Sequence, residues 1–239
     1  MLRLGLRGLP GLPFAGGARN QTAPSLTPSA DPRPEIDRGV ITAFRRFRPV
    51  DAYDLIQWGK HEDVLLENYN LPVNSPEDAR AWYHLRQSYV DTQLYAVDSL
   101  AERRVVGYIG LREIDLTLRM SVLGINFDPR VLDRGYGTDS LKCFLRHYFE
   151  RWQYDSMHLD VAAFNMRGRR CYEKCGYRYT GERWKPFGGV VKQALKSPTV
   201  RDNPELFLRR GSQLYILFHD MVITRTDWRL RGLAEIASD

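Results

Sequence analysis

The spacing of apolar residues predicts a chain of mixed strands and helices from about residue 39 onward. A helix that begins near Thr138 has apolar residues recurring every three or four positions as far as Trp152. A polar turn at residues 99–103 separates two strand patterns and predicts a hairpin. The predicted strands are residues 40–48, 92–98, 104–114, 121–128, 156–163, 177–182 and 213–224, and the other predicted helices are residues 51–59, 63–69, 75–89 and 165–175.

The order of these elements predicts an α/β (α+β) fold with a mixed, mostly antiparallel sheet flanked by helices. The strand at 156–163 follows the strand at 121–128 through a helix. A strand reached through such a crossover pairs in parallel with the strand before it. We therefore expect one parallel pair within the sheet.

The stretch at residues 121–145 combines a strand, a turn with two glycines and a helix. Gly135 and Gly137 remove Cβ atoms where the backbone would approach an anion, and Thr138 is a suitable N-cap for the helix. The N–H groups and the dipole at a helix start favour a phosphate. An ordinary tight turn before a helix remains the alternative at this point.

Charge and composition narrow the class of protein only slightly. The net charge of +6 and the pI of about 9.3 fit an anionic cofactor or an acidic partner, and equally a surface with surplus arginine. The apolar fraction of 43% suffices for a globular core, and no apolar run approaches the length of a membrane span. Nucleic-acid binding is disfavoured because the aromatic residues do not form a stacking platform beside the arginines.

The three cysteines predict reduced thiols in the cytoplasm rather than a disulfide framework. Cys171 and Cys175 lie four residues apart on one predicted helix, but no further Cys or His is near them in the sequence to complete a metal site. We interpret them as packing residues and predict no metal.

The first part of the chain differs in composition from the rest. Residues 1–38 are rich in Gly, Pro and Arg and contain no acidic residue before Asp31. We interpret this tail as disordered or as the product of a start codon placed too far upstream, with a transit peptide as the minority alternative. Residues 39–239 are predicted to form a single domain, with an insertion at about 190–210.

Two motifs in this domain resemble the cofactor motifs of a known superfamily. Residues 133–138 (DRGYGT) and 165–177 (NMRGRRCYEKCGY) resemble the cofactor motifs of the GNAT superfamily of acetyl-CoA-dependent N-acetyltransferases, and their spacing is also similar. Residues 46–49 (RFRP), 107–111 (GYIGL) and 221–228 (MVITRTDW) resemble the branch that holds ribosomal-protein N-terminal and spermidine acetyltransferases. The resemblance covers about residues 41–230 and implies a GNAT-like sheet with a splayed parallel strand pair at the cofactor site.

The resemblance implies acetyl-CoA as acetyl donor. Backbone N–H groups of the first motif would hold the pyrophosphate, with the Arg134 guanidinium adding a charge-assisted contact or remaining a solvated surface charge. Main-chain groups at the end of the central strand, and the side chain at the start of the second motif, would hold the pantetheine arm. The cofactor-binding residues predicted in this way are Phe127, Asp128, Arg134, Gly135, Tyr136, Gly137, Thr138 and Asn165.

The resemblance also implies two catalytic residues, Tyr172 and Glu113. Tyr172 lies two helical turns beyond Asn165 and resembles the family tyrosine that protonates the coenzyme A thiolate; a core tyrosine is the alternative. Glu113 is the predicted general base, with a surface charge as its alternative. For Asn165, a role as a plain N-cap is the alternative to a contact with the pantetheine arm.

The chain departs from the family pattern at four places. Leu132 stands where Gln or Arg is usual before the first glycine, and Gly168 stands where Ala is common. Val122 replaces a glutamate near the start of the central strand, and the insertion at 190–210 borders the acceptor side. The last two departures leave the acceptor and the base open.

The sequence thus predicts an N-acetyltransferase that acts on a primary amine, either a protein N-terminus or a small molecule such as a polyamine. A non-catalytic module that binds acyl-CoA or another protein on the same fold is the alternative. Apolar residues of the last strand and of the segment around Trp228 are expected to suit a homodimer.

Overall fold

The computed structural model describes residues 35–236, with side chains as far as residue 231. The predicted tail at residues 1–38 lies outside the described residues apart from its last four. All seven predicted strands are present, and two short strands are added, β1 and β8. The strands are β1 (Asp37–Arg38), β2 (Thr42–Arg46), β3 (Gln93–Ser99), β4 (Val105–Asp115), β5 (Met120–Phe127), β6 (Ser156–Ala162), β7 (Arg178–Pro186), β8 (Phe207–Arg210) and β9 (Gln213–Thr224).

The helical segments agree with the prediction less well. Two of the predicted helices, at residues 51–59 and 63–69, are 3₁₀ helices, Pro49–Gln57 and Val64–Tyr69. The hydrogen bonds of a 3₁₀ helix are poorer than those of an α-helix, so such helices occur mainly as connectors between longer elements. The α-helices are α1 (Pro76–Gln87), α2 (Tyr136–Glu150), α3 (Met166–Lys174), α4 (Val191–Ala194), α5 (Pro198–Asp202) and α6 (Arg225–Ile236).

The strands form one mixed sheet in the order β1-β2-β3-β4-β5-β6-β9-β7, with β8 also paired to β9. Its neighbours are antiparallel except for β5 and β6, which are parallel. The predicted fold class and the predicted parallel pair are therefore confirmed.

Helices cover both faces of the sheet. The side that we call the α2 face carries the main core, where Phe144, Leu145 and Tyr148 of α2 pack on Leu123 and Met157. The opposite side, the α1 face, carries a second core in which Trp82 of α1 packs with Tyr108 and Leu94. No helix in the described part of the chain is long and apolar enough to cross a membrane.

The apolar residues of β9 do not form a surface for a partner. Leu214, Met221 and Ile223 are buried, and β9 is paired along both of its edges. The burial of these residues argues against a contact through this strand, and the homodimer itself stays a prediction. An apolar strand in the middle of a sheet is covered on both faces by its own chain.

The predicted insertion forms α4, α5 and β8 on the α1 face. β6 occupies one edge of β9 as far as Ala163, whose N–H donates to Leu217 O at 2.9 Å. β8 takes the same edge directly beyond, where Phe207 pairs with Ile216. The rings of Phe164 and Phe207 stack 5.8 Å apart. The insertion thus continues the sheet past the end of β6.

The same insertion is attached to the Val64–Tyr69 helix through Asp63. The carboxylate of Asp63 accepts hydrogen bonds from the hydroxyls of Ser197, at 3.3 Å, and Thr199, at 2.9 Å. It also accepts a bond from Leu65 N–H and so caps the 3₁₀ helix. One carboxylate therefore joins two segments that lie over the α1 face.

Candidate active site

The parallel strands β5 and β6 are paired only where they begin. Their register runs from Met120 with Ser156 to Val122 with His158, and neither strand pairs with the other beyond that point. Both strands nevertheless continue, β5 to Phe127 and β6 to Ala162. The result is a wedge-shaped opening in the sheet, which we call the strand gap.

Main-chain groups of β5 face the strand gap at alternate residues. Asp128 N–H donates to Val106 O of the neighbouring strand, so in antiparallel pairing the peptide groups of Phe127, Ile125 and Leu123 point the other way. An extended ligand with amide groups can pair with such an edge as an added strand. The role of Phe127 in cofactor binding stays a prediction, and the alternation adds Ile125, which the sequence motifs did not indicate.

Asp128 does not offer the main-chain hydrogen bonds predicted for it. Its N–H is bonded to Val106, its carbonyl accepts from Val131 N–H, and its side chain is fully buried. The carboxylate accepts from Gly59 N–H and from the Arg104 guanidinium, both at 2.9 Å. Asp128 therefore fixes the end of β5, and the prediction that its main chain pairs with a cofactor is corrected.

These hydrogen bonds change the acidity of Asp128. Burial by itself raises the pKa of a carboxyl group, because water no longer solvates the charge. Here the hydrogen bonds from Arg130 and Gly59 outweigh burial and lower the pKa of Asp128 from 3.8 to about 2. The group remains charged under all ordinary conditions.

The glycine turn ends in the first turn of α2. The N-cap is Gly135, whose φ of 85° is in the left-handed region that favours glycine, and α2 begins at Tyr136. The prediction of Thr138 as N-cap is wrong, since Thr138 is the third residue of the helix. The first N–H groups of α2, from Tyr136 to Thr138, have no acceptor within the helix and can bind an anion.

Side chains around the turn hold it from both sides. A Cβ on Gly137 would lie 3.4 Å from Cys171 Sγ and 3.7 Å from the Phe127 ring, so α3 and β5 meet at this glycine. The Tyr136 hydroxyl lies 3.1 Å from Ser99 Oγ in the core, which leaves only its backbone for a ligand. Arg134 is 62% exposed and lies 4.0 Å from Glu102, so its guanidinium is only weakly held.

Asn165 is the N-cap of α3. Its Oδ1 accepts from Gly168 N–H at 3.0 Å, and a Cβ on Gly168 would lie 2.9 Å from Asn165 Nδ2. The side chain of Asn165 therefore lies directly against Gly168. This close contact explains why glycine stands where the family often has alanine.

Tyr172 of α3 packs against the main core on the α2 face. Its ring contacts that of Tyr177 at 5.8 Å, and its hydroxyl has no hydrogen-bond partner among residues 35–236. Burial is the main cause that raises the pKa of Tyr172, and nearby negative groups, Asp160 among them, add to it. The phenol therefore stays protonated at neutral pH.

Asp160 of β6 occupies the α1 face beside the strand gap. Burial, and then the charge of Asp160, raise the pKa of Tyr69. The carboxylate is 10% exposed and receives Lys185 Nζ at 2.6 Å. Its two other cationic neighbours are farther, Arg183 at 3.4 Å and Arg112 at 3.5 Å.

Sequence motifs did not indicate Asp160. Val122, which replaces the expected glutamate, lies between Arg112 on β4 and His158 on β6 in the sheet. Asp160 follows His158 by two residues, so the two side chains share a face of β6. An acid is therefore present on this face, two residues closer to the open end of the strand gap than the pair of Val122 and His158. The alternation of β6 alone could have indicated that Asp160 and His158 share a face.

Glu113 lies at the other end of this region. It follows Arg112, whose partner in β5 is Val122, and it is therefore near the narrow end of the strand gap. Its side chain is 67% exposed and lies 3.6 Å from Arg112, and its backbone φ is 52°. Arg112 thus stands between Glu113 and Asp160, and the structure does not bring Glu113 beside Tyr172.

The cysteines of α3 pack against the start of α2. Thr138 Oγ1 lies 3.6 Å from Cys171 Sγ, and Cys175 Sγ lies 3.8 Å from Thr138 O. A hydrogen bond from Cys175, with a second from Thr138, lowers the pKa of the Cys171 thiol. All three cysteines in the chain are free thiols.

Comparison with known proteins agrees with this architecture. The sequence profile described as an acetyltransferase (GNAT) domain matches residues 42–178. A search among curated proteins finds no match.

Solved structures show the same fold at low sequence identity. A spermidine N-acetyltransferase from Vibrio cholerae, in complex with CoA and spermine, has a TM-score of 0.56 and 16% identity over 78% of this chain and 97% of that chain. A chimera of the Vibrio cholerae enzyme and hSSAT has a TM-score of 0.58 and 18% identity over 79% of this chain and 98% of that chain. A GNAT-family acetyltransferase from Bacillus anthracis has a TM-score of 0.56 and 17% identity over 80% and 98%.

The profile match covers more than half of the chain, and it includes the glycine turn and Tyr172. The strand gap, the helix start beside it and the order of strands agree with that match. The chain therefore belongs to the GNAT family and is an N-acetyltransferase.

Proposed function

We propose that this protein transfers the acetyl group of acetyl-CoA directly to a primary amine, with both substrates bound at once. The observation that carries the proposal is the strand gap. Unpaired peptide groups of β5 line it, and α2 begins beside Phe127 at its wide end. We assign Tyr172, on the neighbouring helix α3, to the thiol of the donor. A long donor with a pyrophosphate and two amides fits these features in this order.

The residues of the turn and of β5 would hold acetyl-CoA. The N–H groups of residues 134–138 and the Arg134 guanidinium suit the pyrophosphate, and the edge formed by Phe127 and Ile125 suits the pantetheine amides. The free amide nitrogen of Asn165 is available for a further contact. Acetyl-CoA supplies an acetyl thioester at the inner end of the strand gap.

The reaction forms a bond between the amine nitrogen and the acetyl carbon and breaks the carbon–sulfur bond. We assign Tyr172 as the donor of a proton to the departing sulfur, since a phenol is protonated at neutral pH. The amine must lose a proton before or during the attack. That proton needs an acceptor on the other side of the strand gap.

Asp160 is our choice for this proton acceptor in place of Glu113. Asp160 is almost buried and lies on the stretch of β6 that borders the strand gap, whereas Glu113 is largely exposed and lies at the narrow end of the gap. A carboxylate is a weak base. It suits an α-amino group, with a pKa near 8, better than a lysine amine with a pKa near 10.4.

The test is release of free thiol from acetyl-CoA with a panel of acceptors: peptides with free N-termini, aminoglycosides and polyamines, the last because a structural neighbour was solved with spermine. Calorimetry of coenzyme A binding accompanies it. We expect binding together with turnover of at least one acceptor class. Binding without any turnover would favour a non-catalytic acyl-CoA module, and no binding at all would exclude both.

A further inference from the structure

Three cationic side chains surround Asp160 on the α1 face. They are Arg112 from β4 and Arg183 and Lys185 from β7. Arg183 also contacts Asp220, and Arg112 also contacts the largely exposed Glu113. Three cations thus contact one nearly buried carboxylate.

The two arginines in this cluster have unused donors. Arg183 reaches Asp220 at 3.0 Å and Asp160 at 3.4 Å through one nitrogen, and its side chain is 54% exposed. The contact of Arg112 with Asp160, at 3.5 Å, is too long for a strong hydrogen bond. A guanidinium carries five N–H donors, so either group can still take a carboxylate from a ligand.

The cluster borders the place where an acceptor must enter. Asp160 lies on the stretch of β6 that β5 leaves unpaired, so it borders the strand gap. Lys185 lies 4.7 Å from the centre of the ring of Phe218, which belongs to β9 between β6 and β7. The α1 face beside the strand gap therefore carries three cations around Asp160.

A polyamine is poorly matched to this lining. Each additional ammonium group would lie beside Arg112, Arg183 and Lys185, and like charges repel most where water is excluded. When Asp160 takes up a proton during transfer, the negative charge that these three cations share is lost. An acceptor that carries carboxylates beside its amine has the opposite charge. These cations attract it when it binds, and they attract it more strongly once Asp160 is protonated.

We propose that the acceptor is a peptide N-terminus followed by acidic residues, recognised through Arg183 and Arg112. The inference rests on the proposed function, since it names the acceptor of that reaction. It separates this chain from the structural neighbours whose names specify spermidine.

The test compares matched acceptors on the wild-type enzyme. Three peptides are identical except for Glu-Glu, Gln-Gln or Lys-Lys after the N-terminal residue, with spermidine as the fourth acceptor, and kcat/KM is measured by thiol release. We expect the Glu peptide to exceed the Gln peptide about tenfold and the Lys peptide by more, because one partly buried charge contact is worth about a factor of ten. High salt should reduce the preference.

The variant Arg183→Glu tests the assigned side chain. We expect it to reverse the order of the Glu and Lys peptides. Its control is Arg80→Glu on α1, since Arg80 is 55% exposed and bonded to a carboxylate at 2.9 Å, much like Arg183, but lies away from Asp160. The control should keep the wild-type order.

The outcomes distinguish a failure of this inference from a failure of the proposed function. Equal values for the Glu and Gln peptides, a best value for spermidine, or an unchanged order in Arg183→Glu would overturn the inference and leave acetyl transfer intact. Failure of the wild-type enzyme to turn over any of the four acceptors or the wider panel, with coenzyme A bound, would overturn the proposed function and this inference with it.

Discussion

Lys185 on β7 reaches across β9 to place its ammonium 2.6 Å from the carboxylate of Asp160 on β6. The two residues are 25 positions apart in sequence and are separated by one strand in the sheet. The contact holds the carboxylate of Asp160 on the α1 face beside the strand gap. In the proposed mechanism this is the side on which the acceptor binds.

The identity of the base can be decided by two variants. We predict that Asp160→Asn lowers kcat by about 10²–10⁴, the usual contribution of a positioned acid or base. Glu113→Gln should change kcat by less than about threefold, because an exposed ion pair contributes little. The measurement is steady-state thiol release under saturating acetyl-CoA.

The affinity for coenzyme A serves as the control for these two variants. It should stay unchanged in both, since neither carboxylate contacts the glycine turn. The activity of Asp160→Asn should rise with pH, because the free amine then loses its proton to water. A large loss of kcat in Glu113→Gln, with no loss in Asp160→Asn, would instead support Glu113 as the base.

The contact of Gly168 with Asn165 predicts that the effect of Gly168→Ala on stability depends on Asn165. Gly168→Ala places a Cβ 2.9 Å from Asn165 Nδ2 and displaces the cap, which costs about 1 kcal/mol and cancels the gain in helix propensity. In an Asn165→Ala background the same substitution should raise the free energy of unfolding by about 1 kcal/mol. Urea unfolding of the four proteins tests this, and equal effects in both backgrounds would show that the contact is unimportant.

Asp128 predicts a specific dependence of stability on pH. Its pKa in the folded protein, about 2, is below the ordinary value of 3.8, so its carboxylate stabilises the fold above about pH 4. That contribution, about 2 kcal/mol, is lost as the pH falls through about 2.

The variant Asp128→Asn should therefore be less stable than the wild type by about this amount at neutral pH, and the difference should shrink near pH 3. Asp202→Asn, on the exposed side of α5, is the control and should match the wild type throughout. A difference between wild type and Asp128→Asn that does not change with pH would contradict the role of the carboxylate.

Local signals predicted the parts of the fold that depend on neighbouring residues. Ser75 caps α1 as its position before a proline and two acids indicates, and Gly176 follows α3 with a φ of 98°. β9 matches its prediction at both ends because its β-rich apolar run is bounded by polar residues.

Features set by contacts between distant segments escaped the sequence. The N-cap of α2 is Gly135 rather than Thr138, because the turn needs a positive φ before the helix can begin. β8 has no recognisable period, since it exists through pairing with the free edge of β9. Asp160 gains its importance from a lysine on another strand, which no local pattern reveals.

The central claim is that Tyr172 supplies the proton for the departing thiol in this N-acetyltransferase. The most direct measurement is kcat for thiol release by Tyr172→Phe, with Tyr179→Phe as control, because Tyr179 is a half-exposed tyrosine of β7 that contacts His219 and Glu182. We predict a loss of about 10²–10⁴ in kcat for Tyr172→Phe, unchanged affinity for coenzyme A, and full activity in the control. Full activity in Tyr172→Phe would contradict the claim and require another acid at the strand gap.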